Sequence, residues 1–342
     1  MGGAGTLVGV YPVRAVRPVT RLGCWLTGSL AADQGEPVLE QIGVLAAAAE
    51  RAGFDSFWVT DRTAAGAPGT GSPELAGSTE VPGSTEREGL EAYSLLGALA
   101  TRTRTLHLGA VPLGVEARPP SIVAKIVTGI DVISHGRAIL TFGMASTGDG
   151  DERRVVEALR VGRAMLEEES PTFTGSVYAI DRAFNRPRPV QAGGVPLVVV
   201  APDGNGGAGL VPAALTGVAD AVIVRTGIDD LRAVISEVGA TVPDDDHGMR
   251  PTRLGVIGVV GVVGAVVGST VAGAPEWLPD SGSALEVDRK LEVDRTAEAA
   301  RAVLGAGADG CLVTIGLDMR PDDLVRIGAE LADRDDLDAP VP

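Results

Sequence analysis

Residues 54–62 read FDSFWVTDR. Phe54, Phe57, Trp58 and Val59 are apolar or aromatic, and the run ends on a charged couple, Asp61–Arg62. Aromatic and β-branched residues this dense read as a buried strand. Such a strand delivers an acid and a guanidinium to its C-terminal end. Upstream, residues 37–52 have the pattern of an amphipathic helix, closed by Ala52-Gly53 with glycine at the left-handed terminal position. Downstream, residues 62–88 are rich in Gly, Pro, Ser and Thr and read as a long loop.

The same beat repeats along the chain. Apolar runs at Leu22–Leu26, Ser56–Asp61, Leu106–Leu113, Ala138–Met144, Leu197–Ala201, Ala221–Arg225, Gly255–Val263 and Gly310–Ile315 predict eight strands. Segments 37–52, 89–101, 120–132, 151–169, 207–217, 229–239, 294–305 and 321–332 predict eight helices in strict alternation with them. Strands apolar on both faces belong to parallel sheets covered by helices. Eight such units point to an α/β fold, a TIM (β/α)8 barrel, with an open doubly wound sheet as the alternative. Residues 21–335 form the expected barrel domain, after an extension at 1–20 and before a tail at 336–342. The loops at 62–88 and 265–293 both leave strand C-termini, the face where barrels build active sites. FTGSVYAID, residues 173–181, predicts a hairpin turning at Gly175. Cys24 falls in the first strand and Cys311 in the last, so barrel closure predicts that these strands pair, with both thiols reduced.

Composition narrows the partners. The 342 residues carry a net charge of −16, which disfavours nucleic acid and anionic membrane surfaces. Two cysteines offer neither a disulfide framework nor a zinc site, no metal is expected, and a cytoplasmic location fits. Leu254–Pro275 is uncharged over 22 residues, but its Val and Gly content suits a strand and loop better than a membrane helix.

AERAGFDSFWVTD (49–61), LEAYSLLGALATRTRTLHLGAVPLGV (90–115), RPPSIVAKIVTGIDVISHGRAIL (118–140), FTGSVYAID with RPRPVQ (186–191), ADAVIV (219–224) and AGADGCLVTI (306–315) occur in an order that resembles the bacterial luciferase-like monooxygenase superfamily, above all its F420-dependent oxidoreductase branch. The resemblance implies a TIM barrel, usually a homodimer, that binds F420 or FMN at the strand C-termini and transfers hydride to or from a small organic substrate. It implies a cofactor-phosphate turn after the fifth strand, here APDGNGGAGL with Gly204, Gly206 and Gly207, and Arg225 could add positive charge there or form a structural ion pair with an acid such as Asp229. It also implies a bulge beneath the ring at Val111-Pro112, where a cis peptide would be cheap for proline; an ordinary trans proline is the alternative.

Arg62 stands where the family usually has histidine, and a guanidinium cannot act as a base at neutral pH. On this reading Asp61 and Arg62 carry the catalysis, Asp61 as proton-transfer group and Arg62 as an anchor or carbonyl polariser, while Glu116 and Arg118 line the substrate side. His107 and His135 fall at the opposite end of the barrel, and His247 lies in an acidic loop. FGMASTGDGDERR (142–154) runs almost directly from the fourth strand into its helix. Two readings follow: an F420- or FMN-dependent oxidoreductase, or a catalytically degenerate barrel, without cofactor, serving as a structural subunit or binding module.

Overall fold

The computed structural model describes residues 19–27, 38–61, 90–112, 118–144, 146, 148–191, 193–202, 209–240, 254–261, 289–317 and 319–332, and the statements below concern these. Arg62, Glu116, Gly204, Gly206, Gly207, His247, the loop at 62–88 and residues 262–288 lie outside them. In chain order the elements are β1 (Leu22–Leu26), α1 (Val38–Arg51), β2 (Ser56–Asp61), α2 (Ala92–Arg102), β3 (His107–Pro112), α3 (Pro120–Ser134), β4 (Leu140–Gly143), α4 (Asp149–Glu167), β5 (Phe173–Thr174), β6 (Ala179–Ile180), β7 (Leu197–Val200), β8 (Ala221–Val224), α5 (Ile228–Ala240), β9 (Gly255–Gly261), α6 (Arg289–Gly305), β10 (Gly310–Ile315) and α7 (Pro321–Ala332). β5 and β6 make the expected hairpin, and the other eight strands form one sheet in the order β3-β2-β1-β10-β9-β8-β7-β4.

The two ends of that sheet meet at a single bridge among the described residues, Leu108 opposite Ala138, which closes the barrel. Followed around the sheet, the register leaving β1 at Thr27 passes Thr60, Val111, Thr141, Val198, Ala221 and Gly255 and returns to β1 at Val19, eight residues earlier. A shear of about 8 is the value for an eight-stranded parallel barrel. β1 and β10 pair directly, Leu22 opposite Cys311, and Cys24 and Cys311 are free, buried thiols, as their positions predicted.

Alternation and shear sort the inward side chains into layers of four from alternate strands. Trp58, Thr141, Ile223 and Leu312 share one layer; Trp25, Val111, Val200 and Val259 lie above it; Thr60, Gly143, Arg225 and Thr314 form the C-terminal rim. Trp58 is fully buried because glycines make room for it. A Cβ on Gly109 would meet its ring at 2.4 Å, and one on Gly23 would meet its indole nitrogen at 3.0 Å. The outward residues, among them Cys24, Leu26, Phe57 and Val59, form the larger core between sheet and helices.

Three turns at the N-terminal end share one device. Gly53, Gly217 and Gly307 are left-handed, with φ of 83°, 79° and 97°, and each is followed by an aspartate just before a strand. Asp55, Asp220 and Asp309 accept from the backbone N–H of Leu22, Leu197 and Val256 at 3.2, 2.7 and 2.8 Å. Each aspartate's own N–H donates to the carbonyl of that same residue. This reciprocal pair fixes the register of neighbouring strands where they begin.

The seam is fastened by Arg137, which is 8% exposed. The Leu108 N–H donates to the Arg137 carbonyl at 2.8 Å, and the Ile139 N–H to the Leu108 carbonyl at 2.9 Å. The guanidinium makes five hydrogen bonds, to the carbonyls of Ser134, Leu106, Ala100 and Thr103 and to the Thr103 hydroxyl. Ala100 and Thr103 lie at the end of α2, where carbonyls lack helical partners and favour a cation. Burial lowers the guanidinium pKa, and the charge of Glu50 works against that.

One expectation changes. The helix placed at 207–217 is a single 3-10 turn, Ala213–Leu215, among the described residues. Pro212 precedes it and left-handed Gly209 and Gly217 bracket it, so a longer helix cannot run through. Of the two alternatives for Val111–Pro112 the peptide is trans, and Pro112 continues β3 in register opposite Asp61. Residues 255–261 of the uncharged stretch give β9, and no helix among the described residues is long and apolar enough to cross a membrane.

The hairpin docks on α4 through Glu157. Its carboxylate accepts from the N–H groups of Ser176, Val177 and Tyr178 and from the Ser176 hydroxyl, at 2.8 to 3.0 Å. Burial pushes the Glu157 pKa up, but the Tyr178, Ser176 and Val177 donors outweigh it and hold it at about 2. A folded value below the ordinary 4.5 means full stabilisation above that pH, lost as pH falls from about 4.5 through about 2. In urea titrations between those limits, wild type should lose stability more steeply than Glu157→Gln, and amide exchange at Val177 and Tyr178 should accelerate in the variant at neutral pH.

Candidate functional site

The rim layer and the layer beneath it form the floor of the mouth at the strand C-termini. Trp25 belongs to that floor and is 4% exposed. Its indole N–H donates to the Thr60 hydroxyl at 3.0 Å, and that hydroxyl donates to the Leu26 carbonyl at 3.2 Å. The ring orientation is therefore fixed from the rim. Arg225 leaves the end of β8 and places its guanidinium over the Trp25 ring, 5.5 Å from the centroid. β8 and β1 are separated by β9 and β10, so the arginine reaches across the mouth. Thr314 and Gly143 complete the rim, and Val111 stands beside Trp25 in the layer below.

Asp61 takes a different place from the one its sequence position suggested. Ser56, Trp58 and Thr60 point inward, so Asp61 points out toward the helices and is 0% exposed. Arg118, just before α3, donates to its carboxylate at 2.8 Å and to Glu91 at 2.9 Å. The same guanidinium lies over the Tyr93 ring, 5.1 Å from the centroid. Glu91 also caps α2 by accepting from the Ser94 N–H at 2.7 Å. Asp61 and Arg118, expected in separate roles, are thus brought together as an ion pair outside the strands. Sequence reading missed Glu91 and Tyr93; the signal for Glu91 was an acid immediately before an apolar helix.

Val111 and Arg225 do belong to the mouth, whereas Pro112 faces outward. Trp25, Thr60 and Thr314 were not among the candidate site residues, although inward alternation with Gly23, Trp58 and Leu312 marks them. His107 opens β3 with its ring at the Asp55 carbonyl, and His135 is the left-handed cap of α3, so both lie at the opposite end of the barrel. Among the described residues no cluster of His, Cys, Asp and Glu could hold a metal ion. The floor's chemistry fits a flat, electron-rich ring system: an aromatic surface, hydroxyls on the rim and a fixed cation. β4 ends at Gly143 and α4 begins at Asp149, so little chain separates that strand from its helix.

Arg118 holds a carboxylate that has no access to water. Arg118→Met should cost about 1.5–3 kcal/mol in urea unfolding, the range for a lost hydrogen bond to a buried charge. Adding Asp61→Asn should restore part of that loss, because the stranded charge is then gone.

Residues 20–251 match the Luciferase-like monooxygenase family. A 5,10-methylenetetrahydromethanopterin reductase of Archaeoglobus fulgidus is 25% identical over 40% of this chain and 36% of its own length. A component of the pristinamycin IIA synthase of Streptomyces pristinaespiralis is 31% identical over 40% of each chain. The chain therefore spans well under half the length of the curated relatives it matches. The solved structure of an F420-dependent secondary alcohol dehydrogenase, in complex with an F420-acetone adduct, superposes with a TM-score of 0.58 at 18% identity, covering 91% of this chain and 98% of that one. With the family match extending over most of the barrel, the chain belongs to the luciferase-like monooxygenase family.

Proposed function

We propose that this protein is an oxidoreductase that uses F420, or FMN as the alternative, to move a hydride to or from a small organic substrate. The observation that carries the reading is the floor of the mouth, an anchored indole under a guanidinium at the active face of a luciferase-type barrel. The cofactor would supply the hydride chemistry. Trp25 and Val111 would support its ring, Thr60 would hold Trp25 in place, and the backbone of Gly204, Gly206 and Gly207 is our candidate for its phosphate. Arg62 and Glu116 remain candidates for the substrate side. The F420-dependent relatives support F420 over FMN.

One observation favours a second reading, a degenerate barrel acting as a binding module. Asp61 is turned outward and paired with Arg118, and His107 and His135 lie at the far end, so the described mouth contains no proton-transfer group. Titration with F420 and with FMN separates the two. The oxidoreductase reading predicts saturable quenching of tryptophan fluorescence by one of them at micromolar concentration, most of it lost in Trp25→Phe. No quenching by either up to high micromolar concentration leaves the binding-module reading.

We further propose that the protein is a homodimer. Support comes from α3, whose Ile122 and Ile133 are 50% and 49% exposed on the same face as Ile126 and Gly129. A Cβ on Gly129 would meet nothing within 4 Å, which leaves room for close approach. Light scattering on the size-exclusion eluate should give twice the 34.8 kDa chain mass, and Ile122→Asp combined with Ile133→Asp should give the monomer.

A further inference from the structure

The wall of the barrel is unfinished on the mouth side of its closing bridge. At Leu108 the seam is bonded in both directions: the Leu108 N–H donates to the Arg137 carbonyl, and the Leu108 carbonyl accepts from the Ile139 N–H. Along a parallel pair, alternate residues of each strand present their N–H and C=O to the same neighbour. The next rung toward the mouth would therefore run from the Ala110 N–H to the Ile139 carbonyl. Among the described residues that bond is not made, and Leu108 opposite Ala138 stands as an isolated bridge. The rung above it, to the Thr141 carbonyl, would need an N–H from Pro112, which has none. Thr141 adds one more polar group to the same stretch, a buried hydroxyl with no hydrogen-bond partner. None of this is at the surface: Ala110, Ile139 and Thr141 are 1%, 2% and 1% exposed. A local shift cannot close the seam either, because β3 is laddered to β2 as far as Pro112 and β4 to β7 as far as Gly143.

We propose that the seam between β3 and β4 is a water-binding site. One ordered water accepts from the Ala110 N–H, donates to the Ile139 carbonyl and bonds to the Thr141 hydroxyl. Buried polar groups are nearly always paired, and leaving one unpaired is costly. A backbone donor on β3 facing a backbone acceptor and a hydroxyl on β4 offers about three bonds, the number a buried water makes. The water takes the place of the missing rung and continues the wall above the bridge. Gly143, next on the inner side of β4 toward the rim, has no side chain to cover the seam, so water reaches the site from the mouth. The site belongs to the barrel wall. It goes beyond the proposed function and holds equally for an oxidoreductase or a binding module.

The sign of one substitution separates a wet seam from a dry one. Thr141→Val keeps the shape of the side chain and removes its hydroxyl. If a water is bound there, the variant strips it of a partner, and the urea midpoint of the full chain should fall. If the seam is dry, the variant deletes an unpaired buried hydroxyl, and the midpoint should rise. Thr141→Ser keeps the hydroxyl and should stay closer to wild type than the valine variant does. A crystal structure of wild type, at a resolution that shows other buried waters, should place one water about 3 Å from the Ala110 nitrogen, the Ile139 oxygen and Thr141 Oγ1. An unchanged or raised midpoint in Thr141→Val overturns the inference, and so does a seam without that water or one closed by a direct bond from Ala110 to Ile139. Should Thr141→Val fail to fold, the wild-type crystal structure alone decides. Cofactor titration has no bearing on this site, so its failure and that of the proposed function are read separately.

Discussion

Closure of the sheet rests on one bridge. Seven of the eight strand-to-strand contacts are ladders, while among the described residues β3 and β4, though packed side by side, share backbone hydrogen bonds only where Leu108 bonds with Arg137 and Ile139. Remove that contact and the molecule is an open sheet with two bare edges, a form that exposes unpaired backbone. Arg137 secures it from beneath by binding carbonyls from the end of α2, the loop after it and the end of α3. The charge is not matched by a carboxylate in direct contact. It is matched by the negative ends of two helices, α2 and α3.

The rest of the N-terminal end is built for rigidity in the same spirit. The aspartates at 55, 220 and 309 each clasp one residue of a neighbouring strand through both side chain and backbone. Register errors, which would shift every inward side chain outward, are blocked at the point where strands start. The C-terminal end can then differ in chemistry without losing its geometry. Trp25 and Arg225 occupy positions whose height and direction are fixed by clasps at the other end of the same strands. Function lives in this grafted rim, and the barrel below it is a support.

How much was legible follows from what each kind of signal can say. Strands apolar on both faces, in strict alternation with helices, identify a covered parallel sheet, and Cys24 and Cys311 correctly anticipated the pairing of the first and last strands. Direction at strand ends was harder. Asp61 lies one residue beyond inward Thr60, and that single step of parity carries it from the mouth to the outer face. Arg225 follows Ala221 and Ile223 at steps of two, so its inward direction was readable, but its target, Trp25 three strands away, depends on closure. The segment at 207–217 has helix-compatible residues, yet Pro212 and two left-handed glycines allow only one turn of 3-10 helix. Long-range pairings such as Arg118 with Asp61 and Glu91 connect residues that no local pattern links.

Trp58 shows how tightly the interior restricts the paths open to this sequence over evolutionary time. Its ring occupies space left by Gly109 and Gly23 on the two flanking strands. A larger residue at either glycine collides with the indole, and a smaller residue at 58 leaves a void that neither glycine can fill. Each single step is harmful, although a combined exchange that conserves volume need not be. These three positions are therefore bound into one unit of inheritance, and a descendant lineage would pass from one solution to another only through a weakened intermediate or by changing them together.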